Sequence, residues 1–185
     1  YFPFDYTNDE ERRLMDGIAK DYDDMVGQTF NMPMAKVLLD KVSLDKLPLK
    51  SQILDLGCGT GIISDLLATQ GYKHLTLVDF SRGMLDAAKT KPRLHDGRFI
   101  LANVTKELPD GKYDLVVSVM LFNTFDEKVT GNIVSGLIPR LNPNSIFATL
   151  EDTRKLCYQK YFDQIYEGMV DVANRTKYVF VGRLK

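Results

Sequence analysis

The residues best placed to do chemistry lie in one short run, Asp55-Leu56-Gly57-Cys58-Gly59-Thr60-Gly61. An apolar stretch, Gln52 to Leu56, leads into it, and a helical pattern, Ile62 to Ala68, leads out. Glycines at this spacing let the backbone turn sharply and let a ligand come close, because no Cβ intervenes. The start of the following helix adds free N–H groups and a positive dipole end. The next apolar run, Leu75 to Val78, closes on Asp79. A carboxylate there accepts hydrogen bonds from both hydroxyls of a ribose. Strand, glycine loop, helix, strand and acid together point to a ligand containing adenosine. The plainer role for Asp79 is to cap the helix that begins near Ser81.

The charges around the loop narrow the ligand. A dinucleotide loop wants a small residue where this chain has Ile62, and its third glycine arrives one residue early, at Gly61. Asp55 sits just before the loop, where it repels a pyrophosphate and attracts an ammonium group. The α-amino group of a methionine supplies one. The cofactor expected is therefore S-adenosyl-L-methionine rather than NAD.

The elements that position these residues alternate along the chain. Glu10 to Val26 carries Leu14, Ile18, Tyr22 and Val26 at helical spacing, and a second helical pattern runs from about Met34 to Val42. Further strands are expected at Arg98–Ala102, Tyr113–Val119 and Ile146–Leu150, with a helix over Lys128–Leu137. Helices are also expected over Met84–Lys89, with Ser81 as N-cap, and in a long stretch broken near Gly168, ahead of the apolar run Tyr178–Val181. Such alternation means βαβ units. The fold expected is α/β, a Rossmann-like, doubly wound, mostly parallel sheet with helices on both faces and an N-terminal helical lid. A single domain is expected over residues 1–185, with 1–46 as a helical extension and 47–185 as the Rossmann-like core.

On these motifs the chain resembles the class I S-adenosylmethionine-dependent methyltransferases over roughly Ile53 to Leu150. The resemblance implies that Asp55, Gly57, Cys58, Gly59 and Gly61 surround the methionine moiety. It implies that Asp79 holds the ribose and that Phe80 and Met84 line the adenine pocket. Ala102-Asn103-Val104 resembles the third family motif, in which an Asp usually receives the adenine amino group; Asn103 stands there instead, and an amide oxygen also accepts such a bond. Val119 to Leu121 then reach the edge of the cofactor, and Tyr22, in a Tyr-Asp segment, folds over the methionine end as a lid. The whole arrangement, including Tyr158 to Val172 in the late helix, is most similar to the methyltransferase-like proteins of the Williams–Beuren region. The family usually ends its sheet with an antiparallel hairpin, of which only Tyr178–Val181 is clear.

The activity implied is methyl transfer to a small-molecule acceptor, by alignment rather than by a catalytic dyad. Candidate acceptor contacts are Phe122, Asn123, Glu151 and Asp152, because ligands bind beyond strand C-termini in such sheets. The rival readings are a cofactor-binding module without turnover that supports a partner protein, and an NAD-dependent oxidoreductase. Cys58 and Cys157 read as packed residues, and His74 and His95 have no companion base or metal-ligand spacing, so no metal is expected. With a net charge of −1, no broad basic field exists to hold nucleic acid or an anionic membrane. No run approaches the roughly 20 apolar residues of a membrane span. The opening YFPFDYTNDEERR has no signal-peptide pattern, so a cytoplasmic protein is expected.

Overall fold

The computed structural model describes residues 9–185; the first eight positions of the expected extension, Tyr1 to Asn8, lie outside the described residues. Seven strands form one sheet in the order β3-β2-β1-β4-β5-β7-β6. They are β1 (Ile53–Leu56), β2 (Leu75–Asp79), β3 (Arg98–Leu101), β4 (Tyr113–Val119), β5 (Leu141–Glu151), β6 (Phe162–Val172) and β7 (Arg175–Leu184). The first five are parallel, and β7 runs antiparallel to both of its neighbours. β1 and β2 are buried throughout, as near-continuous apolar runs covered on both faces should be.

The helices are α1 (Asp9–Ile18), α2 (Met32–Lys41), α3 (Ile62–Thr69), α4 (Arg82–Lys89), α5 (Glu127–Leu137) and the single turn α6 (Tyr158–Tyr161). Side chains alternate along each strand, so the sheet feeds two cores. On one face, Ile53, Leu77, Val117 and Ala148 pack under Leu38 of α2, Leu67 of α3 and Leu85 of α4. On the other, Leu54, Val116, Phe147 and Phe180 pack under Ile133 and Leu137 of α5 and Tyr158 of α6. This is the doubly wound, mostly parallel α/β fold expected from the sequence.

Two expectations are corrected. The N-terminal helical face is not continuous: α1 stops at Ile18, and a π-helical segment, Asp23–Asn31, follows and runs into α2. The long late helix does not exist. Only α6 is helical, and Phe162–Val172 is a full strand paired with β7 across a turn in which Ala173 and Asn174 both have positive φ, 50° and 59°. Positive φ at both central residues gives the backbone twist that antiparallel strands need, and both strands of the expected hairpin are present, paired from Phe162 and Leu184 to Val172 and Arg175.

Candidate functional site

The glycine loop is held against β2. The Gly57 and Cys58 amides both donate to the Val78 carbonyl at 2.9 Å, and the Gly61 amide donates to the Cys58 carbonyl at 2.8 Å. Gly59 has φ +52°, and a Cβ built on it meets nothing within 4 Å, so open space lies against the backbone there. Gly61 differs. Its φ is +79°, but an added Cβ would meet Leu94 Cδ1 at 2.9 Å and Ala88 Cβ at 3.2 Å. Gly61 is a point of close packing between the loop, Ala88 of α4 and Leu94, and it lies outside the lining of the cleft.

Asp79 ends β2 and is buried; its Oδ2 accepts from the Gly59 amide at 2.8 Å and its Oδ1 from the Ser81 amide at 2.9 Å. Burial pushes its carboxyl up to about 6 against the lowering effect of those hydrogen bonds. The capping role belongs to Ser81, whose Oγ accepts from the Met84 amide at 3.1 Å. Asp55 is fully desolvated in the middle of the sheet, its Oδ2 accepting from Ser64 Oγ at 2.6 Å. Burial, opposed by the Ser64 hydrogen bond and reinforced by the Asp79 charge, raises it to about 7.

These residues line a cleft of two lobes. The first takes Gly57, Gly59, Asp79, Phe80 and Met84, with Asn103 and Val104 after β3, Val119 at the end of β4 and Leu121 beyond it. The second takes Asp55, Gly57, Cys58 and Gly59, with Thr60, Asn31 and Ala35. Tyr22, Gly57, Gly59, Val119 and Met120 belong to both. Apart from Gly61, every residue named from the sequence as a cofactor contact therefore faces one cleft. Met15 of α1 and Asn31 also line it, and neither stands out in the sequence by type or spacing. Met120, inside the Val119 to Leu121 run expected at the cofactor's edge, takes φ 64° at the exit of β4.

The oxygen of Asn103 is already engaged. It accepts from the Thr105 amide at 3.0 Å and from Thr105 Oγ1 at 2.7 Å. Because a backbone amide must meet an acceptor, this fixes which end of the Asn103 amide is the oxygen. The expected use of that oxygen for an adenine amino group has to compete with two bonds in place.

The N-terminal segment is tied to the rim of the cleft at two points, Asp16 and Asp23, and a further bond, Asn31 to Tyr22, lies within it. Asp16 of α1 accepts from Ser81 Oγ at 2.6 Å and from the Gly83 amide at 2.8 Å, at the start of α4. Asp23 accepts from Thr60 Oγ1 at 2.5 Å and from Lys91 Nζ at 2.6 Å, while Lys91 also donates to the Thr60 carbonyl at 2.7 Å. Asn31 Nδ2 donates to the Tyr22 hydroxyl at 3.3 Å. Burial raises the Tyr22 phenol, so it stays neutral.

The expected acceptor side is rearranged. Phe122 is fully buried against Phe147 and Tyr158, with ring centroids 6.1 and 6.0 Å away, and belongs to the core rather than the cleft. Glu151 is also fully buried, because β5 continues through it and its side chain turns inward with Thr149. Thr149 Oγ1 donates to its Oε1 at 2.7 Å, its Oε2 has no hydrogen-bond partner among the described residues, and burial pushes it up to about 8. Asp152 points outward, paired with the buried Lys177. Asn123 Oδ1 accepts from the Asp152 amide at 2.6 Å, and its Nδ2 donates to Met120 Sδ at 3.2 Å. Burial also pushes the Cys58 thiol well up, which leaves it unsuited as a nucleophile.

The architecture is the Rossmann-like α/β fold of the S-adenosylmethionine-dependent methyltransferases. Residues 53–144 match the family described as a methyltransferase domain. A malonyl-[acyl-carrier protein] O-methyltransferase of Acetivibrio thermocellus is 30% identical over 131 residues, which cover 70% of this chain and 44% of that protein. The chain thus spans under half of the length of that relative. Relatives of this kind stand where the sequence suggested proteins of the Williams–Beuren region. Among solved structures, the magnesium protoporphyrin IX methyltransferase of Synechocystis PCC 6803, with S-adenosylmethionine bound, superposes with a TM-score of 0.68 at 20% identity, covering 88% of this chain and 82% of that one. A TehB-like methyltransferase of Corynebacterium glutamicum gives a TM-score of 0.71 at 17% identity, covering 94% and 99%.

Proposed function

We propose that this chain binds S-adenosylmethionine across the two-lobed cleft and passes its methyl group to an oxygen of a small organic acceptor. The observation that carries this reading is the placement of one buried carboxylate in each lobe, Asp79 and Asp55, with the open backbone of Gly59 between them. A ribose diol suits the first carboxylate and a methionine ammonium the second. Phe80, Met84 and Leu121 offer apolar surface for the base, and Tyr22 and Asn31 close the methionine lobe. The oxygen acceptor is supported by the printed activity of the Acetivibrio relative.

The cofactor brings a methyl group already activated on a sulfonium, so the protein's contribution is alignment and exclusion of water. Asn123 braces Asp152 against Met120 at the exit of β4, beside the cleft, and this brace is the proposed wall on the acceptor side. Glu151, folded into the core, takes no part in the proposed transfer. Calorimetry with S-adenosylmethionine and its demethylated product, followed by a product-release assay over small metabolites, tests the reading. Saturable binding and turnover of an oxygen acceptor are expected. Binding without turnover of any acceptor, with one protein co-purifying, would install the non-catalytic module instead.

A further inference from the structure

At the opposite rim of the sheet, where the parallel strands begin, a cleft of about 530 Å³ opens. Its position follows from its walls. Ser51 precedes β1, Asp114 starts β4, Ile146 lies where β5 takes up register with Leu115, and Arg183 pairs with Ile146 near the end of β7. The loops of the cofactor cleft follow the other ends of β1, β2 and β4. The two sites share no residue.

The lining has two halves of different chemistry. Ile146 and Val181 are buried in the floor, Leu47 is half-buried, and Ile165 leaves 45% of its surface exposed. Around them stand Lys46, Lys50 and Arg183, none of which makes an ion pair or side-chain hydrogen bond among the described residues. The one acid in the wall, Asp114, is spoken for: its Oδ1 accepts from Asn142 Nδ2 and its Oδ2 from the Gln52 amide, both at 2.7 Å. Asp163 faces Arg183 in the β6–β7 register yet forms no ion pair with it. Arg183 and Ile146 are direct antiparallel partners, so cation and apolar floor project from the same face.

We infer that this cleft is a second ligand site, separate from the methyl-transfer site, for a small amphipathic anion: a carboxylate or phosphate head on an apolar chain or ring. Its volume lies within the range of small-molecule sites, and an apolar floor with a few convergent polar groups is their usual make-up. Three unpaired cations exclude a purely apolar occupant, and the buried isoleucine and valine give a bare inorganic ion nothing to contact on that side. The loop Ser43–Ser51, which supplies one wall, joins α2 to β1 and so connects this site in sequence to the cofactor cleft.

The test uses the full chain and decanoate as probe, followed by amide NMR shifts and calorimetry. Saturable binding is expected, with shifts confined to Ser43–Ser51, Asn144–Ile146 and Arg183, and with decanol and inorganic phosphate each at least about tenfold weaker. Reversing the cations in Lys46→Glu/Lys50→Glu/Arg183→Glu should weaken decanoate about tenfold or more, since each reversal replaces an attraction to the carboxylate with a repulsion. The same variant should keep the affinity of the native chain for the demethylated cofactor, which reports that it is folded. Shifts centred on Asp79 and Gly59, decanol binding as tightly as decanoate, phosphate binding as tightly as decanoate, or no saturable binding at all would each overturn the assignment.

Discussion

The Gly59 amide donates to Asp79 Oδ2 across 2.8 Å, so the ribose-facing acid also fixes the loop that must let the cofactor approach. Replacing Asp79 therefore removes two things at once. Asp79→Ala should weaken S-adenosylmethionine and its product by about 2–4 kcal/mol in calorimetry, the loss of two charge-assisted hydrogen bonds. Asp79→Asn keeps an oxygen for the Gly59 amide and should fall between the two. Equal affinity in the alanine variant would remove the ribose assignment.

Cofactor affinity should rise with pH. Asp55 and Asp79 are held by burial at about 7 and about 6, above the ordinary 3.8. The ammonium and the diol are both proposed to meet ionised carboxylates, so protonation competes with binding below those values. Affinity measured from pH 5 to 8 should climb through the interval between 6 and 7 and then level. A flat profile in the native chain would show that neither carboxylate meets the cofactor in its charged form.

The lid depends on Asp23. Its carboxylate is the meeting point of Thr60 and Lys91, so Asp23→Ala should free the π-helical segment while leaving the sheet intact. Limited proteolysis should then cut first between α1 and α2, and cofactor affinity should drop several-fold. Deletion through Asp23 should act in the same direction. Unchanged affinity in both would mean that the segment packs on the cleft without closing it.

Asn103 gives a directional test. Asn103→Asp keeps an oxygen for both Thr105 bonds and offers a second oxygen where the amide nitrogen stood. Adenosine affinity should be retained or improved. Asn103→Leu loses the turn as well as any polar contact with the base and should cost roughly 1–3 kcal/mol. A neutral leucine substitution would place the base elsewhere.

Glu151 governs stability rather than turnover. Its folded value of about 8 stands above the ordinary 4.5, so the folded chain holds a proton that the unfolded chain releases. The folded state then binds more protons between those values, and stability falls as pH rises through them. Glu151→Gln cannot ionise and should melt higher than the native protein at pH 8 with turnover nearly unchanged. Loss of most turnover with cofactor binding intact would make this carboxylate a general base.

The part of the fold read well from the sequence is the part whose signals are local. Gln52–Leu56 and Leu75–Val78 are short apolar runs punctuated by glycine or acid, and buried strands of a parallel sheet look like that. The β6 strand escaped because it lies at the sheet edge and bulges between Gln164 and Tyr166, which breaks the alternation. Ile165, Tyr166, Met169 and Val170 then fall at a spacing of three to four, as helical residues do. Glu151 and Asp152 show a related failure. Ending β5 at Leu150 hides the strand parity that turns Glu151 into the core and Asp152 out. The break in the N-terminal helix rests on Asp23 finding Lys91, a contact 68 residues away that no local pattern announces.

The place of β7 between β5 and β6 has a consequence for how the chain is made. On a ribosome, β6 emerges before the strand that separates it from the rest of the sheet. Until Arg175–Leu184 follows, β5 presents a bare edge of amides and carbonyls beside β4, and β6 has nothing to pair with. The nascent chain therefore passes through a stage at which two long strands are both unpartnered, the state in which edges recruit other chains. Gly182 sits near the end of that late insertion, where a Cβ would come 2.7 Å from Phe162 Cβ. A side chain there would obstruct the closing step itself, and the harm would be read in the yield of nascent protein captured by chaperones.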